Sequence, residues 1–214
     1  DYRKIKFSFM RNINKGSSQS YNHVFKYNPD GRPHEETNTV LSIFQLNHLL
    51  NQKMFYDVKY SRTVNNYGSY IYKDIDSYYI APENGVYNGL NHLVGDTVYN
   101  YIHDKFFTAY GAGFFTGGQE KGHTQRETVT ANIRTDLTWQ INNAHSIKTG
   151  FSLSNYNLNN KYHTIRNAYI GTALESDYYK PIIYPDSTVY ADVYNVKPKE
   201  YSVYIQDKFE RDEM

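Results

Sequence analysis

The chain has 214 residues, a length one all-β domain can fill, with 39% hydrophobic residues, a mean hydropathy of −0.75 and a formal net charge of +1. It holds no run of about 18 apolar residues, which excludes a transmembrane helix, and the near-neutral charge gives no footing for a nucleic acid or any other polyanion. The lack of cysteine fits an oxidising compartment without disulfides and a reducing one alike.

The elements all read as strands. In the first, around 3–13, Ile5, Phe7 and Phe9 alternate with Lys4, Lys6 and Ser8. The second covers 36–49, with Val40, Phe44 and Leu46 as its outward set. In the third, Met54, Tyr56, Val58 and Tyr60 oppose Phe55, Asp57, Lys59 and Ser61. The fourth, Thr124 to Asn142, has the clearest pattern. Val129, Ala131, Ile133, Leu137, Trp139 and Ile141 share one parity, broken only by Thr135, and polar residues fill the other. From Thr128 to Asn142, at ~3.3 Å per residue, it would run roughly 50 Å, far beyond the usual strand of a soluble domain. In the fifth, Ile147, Phe151 and Leu153 alternate with Lys148, Gly150, Ser152 and Ser154. The sixth sets Tyr201, Val203 and Ile205 against Ser202, Tyr204, Gln206 and Lys208. Asp207 breaks its oily side, through either a bulge or a position at a membrane boundary.

The connections sort themselves. Strands two and three are joined across Leu49–Gln52, and strands four and five across Asn143–His145. The other links are the long loops 14–35, 65–123 and 161–198. Short and long connections therefore alternate, as in outer-membrane barrels with short periplasmic turns and long extracellular loops. The parities also predict that each short hairpin contains an odd number of loop residues, or else a bulge beside a two-residue turn. The predicted fold class is all-β: an antiparallel up-and-down sheet of about six long strands, forming a section of a transmembrane barrel.

Three segments resemble a known family. Asn47-His48-Leu49-Leu50-Asn51-Gln52-Lys53-Met54-Phe55-Tyr56-Asp57-Val58-Lys59-Tyr60-Ser61 resembles the NHxLSxxTFYxVxxS hairpin of Bacteroidetes-type TonB-dependent outer-membrane receptors. His145-Ser146-Ile147-Lys148-Thr149-Gly150-Phe151 resembles their HxIKTGF strand start. Tyr201-Ser202-Val203-Tyr204-Ile205-Gln206-Asp207-Lys208-Phe209-Glu210 resembles their YAAYIQDKIE strand, with Ser202-Val203 in place of two alanines. The order and approximate spacing of the three agree with the family, and directly they cover under a fifth of the chain.

The resemblance implies a barrel of about 22 strands around an N-terminal plug, in the outer membrane of a Gram-negative cell. It implies uptake of a scarce nutrient (siderophore, cobalamin, oligosaccharide or peptide) driven by the TonB–ExbB–ExbD system. Plug, TonB box and the usual continuation after YIQDK have no counterpart in residues 1–214. The chain is therefore expected to be an internal barrel fragment, cut at both ends, that does not touch TonB itself. Its expected partners are the rest of its own barrel, outer-membrane lipid and the nutrient.

Val129, Ile133, Leu137, Trp139, Ile147, Phe151, Leu153, Val203 and Ile205 are expected to face lipid, and Lys4, Lys6, Arg134 and Lys148 the lumen. Tyrosine, with 24 copies, has an apolar ring and a polar tip suited to membrane girdles and ligand-contacting loops. Tyr67, Tyr70, Tyr72, Tyr78, Tyr79, Tyr99 and Tyr101 in loop 65–123 are the candidate ligand contacts; packing within the loop is the plainer use of the same rings. The eight histidines form no H-x-x-x-H or H-E-x-x-H pattern, and His48 and His145 are expected to hydrogen-bond the short turns. Asp74, Asp76, Glu83 and Asp96 are a calcium candidate without an EF-hand pattern, and Gly117–Gly122 lacks the phosphate-loop form. No catalytic motif is present, so neither an enzyme nor a cofactor is expected. A passive porin, a barrel-anchored surface binding protein and a secreted carbohydrate-binding β-sandwich remain the alternatives.

Overall fold

The period-two pattern produces strands. The computed structural model describes residues 2–17, 23–76, 78–80, 97–104, 109–110, 113–176 and 178–210. Among them, seven strands form one antiparallel sheet: β1 (Tyr2–Ser17), β2 (His34–Asn51), β3 (Met54–Tyr70), β4 (Gly122–Gln140), β5 (His145–Thr164), β6 (Ala191–Val196) and β7 (Lys199–Phe209). They lie in the order β1-β2-β3-β4-β5, with β6 and β7 both on the far side of β5. Two-stranded ribbons pair 78–80 with 97–99, 109–110 with 114–115, and 166–167 with 181–182 within the long connections.

β6 and β7 are one strand with a missing rung. Val196 lies opposite Leu158 and Lys199 opposite Asn155, so the register does not shift between them. Tyr156 N–H donates to the Pro198 carbonyl at 3.0 Å, and the proline has no N–H to return the bond. The architecture is thus six strands wide, as expected.

Away from the short hairpins every strand reaches further than the pattern suggested, while β4 ends at Gln140, short of the expected Asn142. β1 continues to Ser17, β3 to Tyr70 and β5 to Thr164, while β2 begins at His34, β4 at Gly122 and β6 at Ala191. The loop limits 14–35, 65–123 and 161–198 contract accordingly. Asn, Thr and Tyr replace the branched residues in these extensions, which erases the period, yet ladder pairing needs only a neighbouring backbone.

Directly opposed residues of antiparallel strands project to the same side. One row across the sheet runs Ile5, Leu46, Val58, Thr135, Phe151, Val203, and the next Phe7, Phe44, Tyr60, Ile133, Leu153, Tyr201. Between these rows, on the opposite side, lie Lys6, Gln45, Lys59, Arg134, Ser152 and Ser202. The outward set read for the second strand shares the oily side with all the others. Asp207 lies opposite Ile147 in unbroken register at the hairpin end of the sheet, which removes the bulge alternative.

Both hairpins obey the parity rule. β2 and β3 pair Leu49 with Phe55 and then Asn51 with Met54, a two-residue turn with a register shift beside it. Ile141 N–H donates to the His145 carbonyl at 3.1 Å, leaving three residues, 142–144, in the β4–β5 loop.

The oily side is uncovered. Trp139 is 42% exposed and Phe151 39%, on the edge strand Ile205 reaches 77%, and among the described residues no second sheet stacks on them. The buried apolar cluster, Tyr101, Ile165 and Tyr179 with Tyr72 and Ile75 against it, lies among the long connections instead. The sheet is open: among the described residues β1 pairs only with β2, and β6 and β7 only with β5.

Candidate functional site

The long connections and the strand extensions beneath them carry most of the polar side-chain contacts. Gln119 organises one part of this shell. Its Oε1 accepts from Ile102 N at 2.9 Å, and its Nε2 donates to the Tyr72 hydroxyl at 3.1 Å and the Asn100 carbonyl at 3.4 Å. Tyr72 stands edge-on to Tyr101, with ring centroids 5.0 Å apart. Lys121 is buried, ion-paired to Asp104, with its ammonium 5.0 Å from the Tyr179 ring centroid. Burial pushes its pKa down, while the Asp104 carboxylate opposes that shift. Burial likewise raises the Tyr101 and Tyr179 phenols, so both stay neutral, and the buried Tyr179 hydroxyl has no hydrogen-bond partner among the described residues. Sequence reasoning missed this cluster, because Asp104 and Lys121 meet only when their loop folds back on itself.

The tyrosines chosen from the sequence divide by environment. Tyr101 and Tyr70 are only 1% and 7% exposed. The Tyr70 ring stacks on His123 with centroids 5.1 Å apart, its hydroxyl donates to Glu36, and it occupies the space a Cβ on Gly68 would need. Tyr72 is half-buried, as described above. Tyr67 is half-buried on the polar side, with the Arg126 guanidinium 5.0 Å from its ring centroid. Tyr78 and Tyr99 are opposed in the ribbon of 78–80 and 97–99, where Tyr79 lies opposite Val98.

The nine residues expected to face lipid all lie on the oily side of the sheet. Lys4, Lys6, Arg134 and Lys148 lie on the other. There Arg134 forms two hydrogen bonds to Asp136, 2.8 and 3.2 Å long, and the Tyr204 hydroxyl donates to the same carboxylate. The Tyr204 ring covers Gly150, where a Cβ would collide with it. Asn47 donates to Asp57 across β2 and β3, and Asn132 donates to Ser154 Oγ at 2.8 Å across β4 and β5. Polar residues on this side satisfy one another across strands.

On the oily side, where the apolar rows end at the strand extensions, lies an open cleft of about 530 Å³. Arg11, Lys15, Glu36, Lys73 and Lys161 are among the residues that line it. Glu36 accepts from Tyr70 and lies 3.9 Å from both the Lys15 and Lys73 ammonium groups.

The side chains of the histidines at the hairpin end act across strands, while the His145 main chain bonds the β4–β5 turn as expected. His48 is buried, bonded to Arg3 Nε at 3.2 Å and to the Tyr56 hydroxyl at 3.1 Å. His145 Nδ1 lies 2.8 Å from Asp207. Asparagines close the turns: Asn142 Oδ1 accepts from the backbone of Ala144 and His145, and Asn51 Oδ1 from Lys53 N. Among the described residues no group of three His, Asp or Glu converges as a metal site. Asp74 accepts from Asp76 N at 3.1 Å, while Glu83 and Asp96 lie outside the described residues. Part of the glycine-rich run is a packing strap. Gly118 O accepts from Asn28 Nδ2 at 2.9 Å, and Glu120 N donates to Gly31 O at 2.8 Å.

No family model, curated protein or solved structure matches the chain.

Proposed function

We propose that the chain is a section of the wall and outer loops of an outer-membrane, TonB-dependent active transporter. The observation that carries this reading is the uncovered oily side of a sheet six strands wide. On β4 the oily band runs from Trp139 to Val129, and its neighbours continue it from Ile147 on β5 and Met54 on β3. The ten steps from Trp139 to Val129, at ~3.3 Å each, span roughly 33 Å, which a strand tilt of about 40° reduces to about 25 Å, the height of the apolar band on a barrel in a bilayer. Water would penalise that surface heavily, whereas hydrocarbon does not.

Beyond the band the same side turns polar, with Asn38, Asn66, Glu127 and Asn159 in one row. A strand that leaves the membrane has this profile. Thr149, a polar residue inside the band, donates its hydroxyl to the Tyr204 carbonyl at 2.8 Å and so presents no unsatisfied group. The short hairpins lie at one end and the long connections at the other, as periplasmic turns and extracellular loops do. The three resembling segments lie in the β2–β3 hairpin, at the start of β5 and along β7. In this reading the polar side lines the lumen and packs against a plug. The half-buried Tyr67 and Tyr72 supply part of the ligand-facing surface.

A porin or barrel-anchored binding protein would share the wall and differ in lacking a plug. A soluble sandwich would need a second sheet over Trp139 and Phe151. The test is membrane fractionation of the full-length protein containing this chain, followed by nutrient uptake with and without TonB. We expect recovery in the outer membrane, resistance to alkaline extraction and TonB-dependent uptake. A protein that stays monodisperse in detergent-free buffer would overturn the membrane reading, and uptake indifferent to TonB would leave a passive barrel.

A further inference from the structure

We infer that the outward side of the sheet, at the upper edge of the oily band, is a binding belt for phosphate-bearing lipid head groups. The inference rests on the transmembrane-wall reading and specifies the head-group chemistry of the lipid at its upper rim. The two rows that close the band at this edge are Phe9, Ser42, Arg62, Ala131, Asn155, Lys199 and then Arg11, Val40, Val64, Val129, Asn157. Strand alternation puts Lys197 at the far end of the second row. These rows hold four exposed cations, Arg11, Arg62, Lys197 and Lys199, and no carboxylate. Among the described residues Arg62, Lys197 and Lys199 form no ion pair, and Arg11 donates only to the neutral Asn38 amide, at 3.2 Å.

A second tier lies above, around the cleft, where Lys15, Lys73 and Lys161 meet Glu36. Glu36 is engaged by two of these lysines at 3.9 Å and by Tyr70. Glu127 is the other carboxylate on this side of the strand extensions. On the strands of this side six cations face two carboxylates; in the loop above, Lys73 adds to that positive excess, while Asp74 near His123 and Asp186 paired with His163 reduce it. The opposite edge of the band differs, since Arg3 there is bonded to His48 and Asp207 to His145.

The neighbours of the cations decide which phosphate is bound. Phe9, Val40, Val64 and Val129 share rows with them, so a ligand touching the lower tier also touches hydrocarbon-facing side chains. A soluble phosphate gains nothing from those groups. A lipid places its acyl chains on the valines and its phosphate among the cations, whose long stems can reach up to it. After tilt, the two rows are separated by about 5 Å of depth, comparable to one head-group layer.

The test uses the full-length protein, wild type and Arg62→Gln/Lys161→Gln/Lys197→Gln/Lys199→Gln, reconstituted in neutral phosphatidylcholine vesicles. The vesicles are doped with a bisphosphorylated glycolipid or its enzymatically dephosphorylated form. Retained lipid is read by native mass spectrometry after detergent extraction. The expected result is at least tenfold preference for the phosphorylated lipid in the wild type, weakening with salt, and loss of that preference in the variant. Equal retention of the two lipids, an unchanged variant, or displacement by equimolar inorganic phosphate would overturn the proposal. Wild type and variant both inserting into neutral vesicles would leave the wall reading standing whatever the lipid result; insertion by neither would overturn that reading and this one with it.

Discussion

At the scale of single residues, the oily side gives the sharpest expectation. Ile133 lies in the middle row, flanked by Tyr60 and Leu153 and 38% exposed. If that row meets the bilayer midplane, Ile133→Lys should lower stability by about 2–4 kcal/mol, and Ile133→Leu should change little. Reversible guanidinium unfolding in vesicles measures the difference, and a lysine tolerated there would argue that the row meets water. Lys121 gives a pH-dependent expectation. Burial, against the pull of Asp104, leaves its pKa below that of an ordinary lysine. Between the lowered and the ordinary value, the unfolded chain binds a proton here more often than the folded one. Stability therefore rises with pH across that window, and the gain is lost as pH falls through the folded pKa. Thermal unfolding of wild type and Lys121→Met across mildly alkaline pH should show the wild type gaining relative to the variant. The comparison should stop short of pH ~10, where unfolded tyrosines ionise while the buried Tyr101 and Tyr179 do not.

At the scale of elements, parity governs. The three residues 142–144 keep Ile141 and Ile147 on the same side, because an odd loop preserves the face across a tight hairpin. One alanine inserted there turns either β5 or the register against β4 by one step and puts Lys148 where Ile147 belongs. Assembly should fall to a small fraction of wild type, while a two-residue insertion should be tolerated; outer-membrane abundance by immunoblot reads both. A one-residue insertion without effect would mean the loop absorbs the change as a bulge. The Asn51 and Asn142 side chains that close the hairpins were unremarkable in the sequence, since an Asx turn is recognised only once its acceptor reaches the following N–H groups.

At the scale of the whole molecule, the sheet is two surfaces with two unpaired edges. The polar surface satisfies itself through Asp136, Arg134 and Tyr204 and through Asn132 with its serines, which suits water inside a lumen. Among the described residues the oily surface has no second sheet above it, and β1 and β7 have no outer neighbours. Closure by further strands and immersion in lipid would remove both costs together.

The alternation at 3–13, 54–61, 124–142 and 147–154 was enough to determine strand type, which residues share a face, the antiparallel hairpins and the loop parity, odd or two residues with a bulge. All of these follow from a period of two that each strand carries locally. The strand ends were not legible. Asn65, Asn66 and residues 161–163 continue no apolar run, and only the ladders on either side hold them extended. Nor was the division of the tyrosines legible. Tyr101 is buried because Ile165 and Tyr179, far along the chain, close over it, and Tyr70 because His123 and Glu36 lie beside it. Long-range contacts between loops depend on where each strand delivers its end, and that is set by the assembled sheet rather than by any local run of residues.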